Sequence, residues 1–534
     1  MKIAPLLGIV FLLSACQNQV NSVSQLVSSA CPTPQTVYLS QPSNQEGFFD
    51  RFDYQVRNIV ADADTIRFQT LNHDFVYCRS NGNWSIQTGT LPAQLQPPRN
   101  YSETIKNIVN PSFESITLAG ETYQYRVVLE PQFALDANNN LTRPEVSPAS
   151  DRVVLELITP NNPQPQRQTL YTLEQLQQLE VKNGYSGVGT RLGIPEITAA
   201  VTHGDRIWWS VAFEQGEGNN GIATIVGYQP ETNEFTRIQP QRLFAQQITD
   251  LVVTGETNNP TFWLGTKFSG EGNPNIPASG LVAYRANLEN PDASTFTAYT
   301  VHNSPLVGAI PYKLRLEDNT LWVATGNGVC QLNLQAVDNS DWSCWRFALM
   351  AEVPNELPLY QGLQEKTPAI NLSPSDNKTV EVLWWYPQDY EQRNGRYEVR
   401  YDRGFDVTVD QGATKQIQRF VPPGKPPIDW AGSQWHWNGQ RFVRGWDEVA
   451  RNEFGGGPQG IAASETQLDR PHNINALRGD LELLNLTANT TTVKYYSGWV
   501  DQKLLNPYLA VIPQQKPQSP QPNPLLAALQ WYSS

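Results

Sequence analysis

Two stretches of the chain gather carboxylates and carboxamides closely enough to hold a polar ligand. "EQGEGNNG" (214–221) carries Glu214, Glu217, Asn219 and Asn220, and "SGEGNPNIPASG" (269–280) carries Glu271, Asn273 and Asn275. Such side chains accept and donate several hydrogen bonds each and can ligate a hard cation, a sugar hydroxyl or a partner's loop. No reaction follows from them. The five histidines (73, 203, 302, 436 and 472) have no metal-ligand spacing, and neither G-x-S-x-G nor H-E-x-x-H occurs. "DANNN" (136–140) begins like a calcium loop, but Leu141 stands where glycine is needed and Ser147 where glutamate is needed, so a solvated turn is expected. "GGGPQG" (455–460) has G-x-G-x-x-G spacing but follows "WDEVARNEF" (446–454), which reads as a helix where a strand is required. No catalytic residue, metal ligand or cofactor is assigned.

The elements that must position the two stretches repeat. "TLWVAT" (320–325) matches "TFWLGT" (261–266) and, more loosely, "RIWWSV" (206–211); Trp384 in "VEVLWWYP" lies a further turn of the repeat away. A spacing of about 60 residues signals a repeat fold. Each unit orders its strands alike: "ITAAV", "ITDLVV" or "YKLRLE", then the Trp strand, then a strand opening on Gly ("GIATIVGY", "GLVAYRANL", "GVCQLNL"), then "FTRIQ", "TFTAYT" or "SCWRF". Four short strands bounded by turn residues describe a propeller blade. The small residue two after each Trp (Ser210, Gly265, Ala324) shares its face, so an adjacent sheet can close over the indole. The expected fold is all-β, a β-propeller of about seven four-stranded blades, six and eight being open. It spans 37–511, with the repeat densest over 197–347. Further hairpins are expected in "HDFVYCRSNGNWSIQTG", in "ETYQYRVVLEP" with "DRVVLELIT", and on Asn-Gly in "QWHWNGQRFVR"; "TLYTLEQLQQLEV" (169–181) is the best helical pattern.

"LWVATGNGVCQL" and "FWLGT…SGLVAY" resemble the two-component-regulator type of propeller repeat, over about 248–347 and less closely from 197. The resemblance implies an extracytoplasmic, sensor-like module. Trp384 departs from it, with Tyr386 at the small position. The start, "MKIAPLLGIVFLLSACQNQ", has an apolar run too short to span a bilayer and ends in Leu13-Ser14-Ala15-Cys16, which resembles a lipoprotein lipobox. That implies a signal peptide (1–15), acyl chains on Cys16 anchoring the chain to a membrane, and a tether (16–36); Gln17 favours the outer membrane. Four cysteines remain, and nearest-neighbour pairing gives Cys31–Cys78 and Cys330–Cys344, as an oxidising envelope permits. Residues 512–534 form a Pro/Gln-rich tail.

With 38 basic against 51 acidic residues the chain is acidic, which disfavours nucleic acid as a partner. The leading expectation is an envelope lipoprotein whose non-catalytic propeller binds a polar ligand such as a glycan, or an envelope protein. The alternative is an extracytoplasmic propeller enzyme, a glycan hydrolase or lyase or a quinoprotein-type dehydrogenase.

Overall fold

A computed structural model describes residues 31–40, 55–96, 105–352 and 501–514, short gaps apart, and the strand backbone alone over 364–500. The lipobox, Cys16 and the tail beyond 514 lie outside the described residues.

The three repeat units fold as the sequence predicts. The third sheet orders Pro195–His203, Arg206–Phe213, Thr224–Gln229 and Glu234–Ile238. The fourth orders Gln247–Glu256, Asn259–Gly270, Asn273–Arg285 and Thr295–Tyr299. The fifth orders Pro311–Glu317, Thr320–Thr325, Gly328–Asn333 and Trp342–Glu352. Upstream, Asn58–Ala61 to Trp84–Thr88 make the first sheet and Glu114–Leu118 to Asn162–Thr172 the second, each with four strands paired in chain order. The expected hairpins lie within these two sheets, and Trp435–Trp437 pairs with Phe442–Arg444 around Asn-Gly.

The sheets stack face to face. One apolar cluster joins the second to the third, another the third to the fourth, and another the fourth to the fifth; the first sheet then packs back on the fifth. Each repeat Trp faces the next sheet. Trp208 meets Phe262 edge-on with ring centroids 4.8 Å apart, Trp263 sits in the fourth–fifth cluster, and Trp322 lies 5.5 Å from Phe68 of the first sheet. Such aromatic pairs add about 0.5–1.5 kcal/mol beyond the area they bury. The first strands of the third, fourth, fifth and first sheets are neighbours. Consecutively wound four-stranded sheets, packed on both faces with their first strands together, are blades: the fold is all-β and of the propeller class.

The motif has a physical reason. The Thr three places after the Trp donates its hydroxyl to the carbonyl of a Gly in the next strand, Thr266 to Gly280 at 2.7 Å and Thr325 to Gly328 at 2.9 Å. Both glycines have positive φ, and a Cβ on either would come within 2.2 Å of a neighbouring strand's carbonyl oxygen.

The first and last described strands meet on the fifth sheet, where Asn506–Gln514 adds beside Trp342–Glu352 and Val37–Tyr38 adds beside it in turn. Between them the sheets lose the blade order. Gln364–Lys366, Thr490–Asp501, Arg396–Gln411 and Tyr390–Arg393 form one sheet out of sequence, and Thr379–Trp385, with Trp384, is the middle strand of another. The helix expected over 446–454 is not formed. Trp446–Arg451 is a strand paired with Pro458–Gly460, because pairing outweighs the local helical preference of its Glu and Ala.

Both expected disulfides are present. Cys330 and Cys344 stand directly opposite on the third and fourth strands of the fifth sheet, inside the cluster facing the fourth. Replacing both by alanine is expected to destabilise the protein by about 3 kcal/mol, the chain-entropy value for a loop of this length. A urea titration of the double variant against the native protein measures it.

Candidate functional site

In a propeller blade, the second-to-third and fourth-to-first connections leave the sheet at the same end. Four such connections lie at that end of the third and fourth sheets: 173–194, 214–223, 239–246 and 271–272 with the strands flanking it.

The expected loop over 269–280 is not a loop. The second and third strands continue as a ribbon, with Lys267 opposite Pro277 and Gly270 opposite Asn273, so Asn273 and Asn275 are strand residues; Glu271 lies outside the described residues. Gly, Asn and Pro in the sequence suggested irregular chain, but an isolated ribbon tolerates them where no neighbouring strand needs their N–H. Asn219 and Asn220 form a short parallel bridge with Arg191–Leu192. Asn220 is buried and donates to Glu180 at 3.3 Å, so it holds the loop rather than facing a ligand. Glu214 is exposed, its N–H fixed on the Ile194 carbonyl at 2.8 Å, and Glu217 lies outside the described residues. The turn at 136–140 closes on itself, with Asp136 accepting the N–H groups of Asn138 and Asn140.

Beneath these connections is a set of charges that spacing alone does not single out. The first strands of the third, fourth and fifth sheets each carry a bulge at the same place, at Thr198, Thr249 and Tyr312. A bulge re-aims the residues beside it. The residues that follow, Ala199, Asp250 and Lys313, stand opposite the small residues Ser210, Gly265 and Ala324. Asp250 therefore reaches the fifth sheet: its Oδ2 accepts the Leu314 N–H at 2.8 Å and lies 3.9 Å from Lys313 Nζ, while Oδ1 accepts the Leu251 N–H at 3.0 Å. Thr249 donates to the Pro311 carbonyl beside it. Aligning "ITDLVV" with "ITAAV" and "YKLRLE" could have found this site, since charges replace alanine at one repeat position.

Burial raises the Asp250 carboxyl above the ordinary range, opposed by Lys313 and by the two N–H groups. Burial also lowers the Lys267 ammonium, opposed by the Glu196 carboxylate. A carboxyl whose folded value is raised contributes its stability below the unfolded value, and that contribution is lost as pH rises through the folded value. The stability of Asp250→Asn relative to the native protein is therefore expected to rise with pH from about 4 upward. Denaturation midpoints at matched pH test the sign.

Among the described residues no three His, Cys, Asp or Glu side chains converge to hold a metal ion, and no helix is long and apolar enough to cross a membrane. A cleft between Val127–Leu129, Phe133 and Pro195 has a volume of about 40 Å³, room for a few waters.

No protein-family description matches the chain, and no curated protein matches it. Among solved structures it is similar to the extracellular domain of a putative one component system, BT4673, from B. thetaiotaomicron (11% identity, 70% of this chain, 46% of that chain, TM-score 0.22). It is similar also to PorZ, a surface component of the type-IX secretion system of Porphyromonas gingivalis (9%, 70%, 45%, 0.20). A third is the Bombyx mori GH32 beta-fructofuranosidase (9%, 91%, 94%, 0.23). The chain spans about half the length of the first two.

Proposed function

We propose that this protein is a bacterial envelope lipoprotein, held to the membrane by acyl chains on Cys16, whose propeller is a non-catalytic, sensor-like platform. It binds a polar ligand or a partner protein at the face bearing the connections. The observation that carries the binding reading is the engagement of Asp250. Both of its oxygens accept backbone N–H groups at the seam between two sheets, so this buried carboxylate holds the rim and is not free to exchange a proton with a substrate. Beyond Lys267 the ribbon carries Asn273 and Asn275 in its third strand, with exposed Glu214 on the neighbouring connection. The two disulfides support an oxidising compartment.

Replacing 268–276 by a two-residue turn, followed by cross-linking in intact cells, tests the platform. The partner captured by the native protein is expected to be lost, and unchanged capture would refute the rim. Metabolic fatty-acid labelling that is abolished by Cys16→Ser tests the anchor.

The alternative, an extracytoplasmic propeller enzyme, has one candidate proton acceptor, Lys267, whose ammonium burial lowers against the opposing pull of the Glu196 carboxylate. Turnover of a polysaccharide that disappears in Lys267→Met would establish it; no turnover by the native protein would leave the binding reading.

A further inference from the structure

The amino-terminal part of the chain is fastened to the fold twice, at opposite ends of the blades. The first hold is the Cys31–Cys78 disulfide. Cys78 is the last residue of the third strand of the first sheet, and its N–H closes the turn to the fourth strand on the Asn83 carbonyl at 2.9 Å. In a blade the third-to-fourth and first-to-second connections share one end, opposite the end that bears the candidate rim. Arg79, next in the turn, ties that end together. Its N–H donates to the Asp64 carbonyl at 2.9 Å and its Nε–H to the Asp62 carbonyl at 3.1 Å, both in the first-to-second turn of the same sheet. Its Nη2 reaches both carboxylate oxygens of Glu317, beside the corresponding turn of the fifth sheet, at 2.9 and 2.7 Å.

The second hold is the pairing of Val37 with Leu509. Leu509 pairs in turn with Leu349, three residues past Arg346, and Arg346 stands opposite Gly328, where the third strand of the fifth sheet begins. That is the rim end. From Cys31 to Val37 the chain thus passes from one end of the blades to the other, and six residues reach about 20 Å, the height of a strand of that length. The two holds therefore decide from which end the chain runs on toward Cys16. Through the disulfide it leaves at the end opposite the rim. Through the strand pairing alone it would leave at the rim end.

We infer that the Cys31–Cys78 bridge orients the protein on its membrane, with the end bearing Arg79 and Glu317 toward the lipid and the rim away from it. The inference rests on the Cys16 anchor proposed above. The chain from Cys16 to Cys31 reaches at most about 50 Å. With the rim upward, none of that length is needed to clear the blades. With the rim downward, the same residues must first run past a whole blade, about 20 Å, and each residue so straightened loses conformational freedom. The ligand or partner of the rim accordingly arrives from the aqueous compartment and not from the bilayer that holds Cys16.

Energy transfer to a headgroup-labelled lipid reads the height of each end above the bilayer. A fluorescent amino acid is placed at Asn319, in the first-to-second turn of the fifth sheet, or at Gln241, on the fourth-to-first connection after the third sheet; both side chains are exposed. The acylated protein is reconstituted on phosphatidylcholine vesicles carrying the acceptor lipid. Transfer from 319 should exceed that from 241 by on the order of twofold, since the two ends differ in height by about 20 Å. Cys31→Ala with Cys78→Ala moves the point of departure to Val37 and should erase or reverse the difference. The native comparison needs no altered cysteine, so it stands whether or not the double variant folds. Equal transfer from the two labels in the acylated native protein, or greater transfer from 241, would overturn the inference. So would a folded double variant that keeps the native difference, which would leave the bridge a purely stabilising role. Failure of the anchor reads differently: mass spectrometry would then find no acyl chain on Cys16 and neither label would transfer, and the inference would fall with it.

Discussion

Arg143→Ala should destabilise the protein by about 3–5 kcal/mol, the cost of leaving a buried charge without its partner. Arg143 and Asp151 are 1% and 0% exposed, and the guanidinium meets both carboxylate oxygens, Nη2–Oδ1 at 2.5 Å and Nη1–Oδ2 at 3.2 Å. Asp151 joins three segments: Oδ2 also accepts the Leu192 N–H at 2.9 Å, and its carbonyl accepts the N–H of Leu173, the first residue of the helix. Without the arginine, the carboxylate keeps one N–H and no cation. Arg143→Met with Asp151→Asn removes both charges and leaves an acceptor for Leu192, so the pair should recover more than half of the loss. Urea titrations of the native protein, Arg143→Met, Asp151→Asn and the double variant form the double-mutant cycle. Amide exchange adds a local readout, because Leu192 and Gly189 in the single variant should exchange faster than the first sheet does. If the loss is below about 1 kcal/mol, the pair is not what fixes the helix and its loop to the second sheet.

The parts of this fold that could be read in advance are those whose reasons are local. A tryptophan strand needs a small residue two positions on because the next sheet closes over the indole, and a threonine because its hydroxyl caps the following glycine carbonyl; both constraints leave a trace within ten or twenty residues. Cys330 and Cys344 could be paired for the same reason, since the hairpin between them sets their register. What could not be read depends on distant partners. Arg396–Gln411 pairs with Thr490–Asp501, and nothing in either strand names the other. Trp446–Arg451 carries helix-forming residues and becomes a strand by pairing. The rim stayed hidden because Asp250 matters through a bulge and through Leu314 on another sheet. Conversely, Asn220 looked like a ligand-binding residue by type and neighbourhood, and its burial against Glu180 makes it structural.

Gly265→Ala adds one methyl group and should cost about 3 kcal/mol, the upper range for overpacking a tight core. The new Cβ would lie 2.3 Å from the Pro311 carbonyl oxygen and 2.3 Å from Thr249 Oγ1. Neither can move aside, because Thr249 is hydrogen-bonded to that carbonyl and Pro311 begins the first strand of the next sheet. The fourth and fifth sheets would have to part, stretching the contact of Asp250 with Leu314. The repeat supplies its own control. Ala324 occupies the equivalent place on the fifth sheet, facing the first sheet, and tolerates its Cβ there. Ala324→Gly should therefore cost only about 0.5–1 kcal/mol, mainly through backbone entropy. Denaturation of the two single variants separates the explanations. If small residues are required merely to make room for the indole within each blade, the two positions should behave alike. If the requirement comes from how closely each sheet approaches the next, Gly265 should be intolerant and Ala324 nearly indifferent, and the stability of the ring is then set seam by seam rather than by the repeat as a whole.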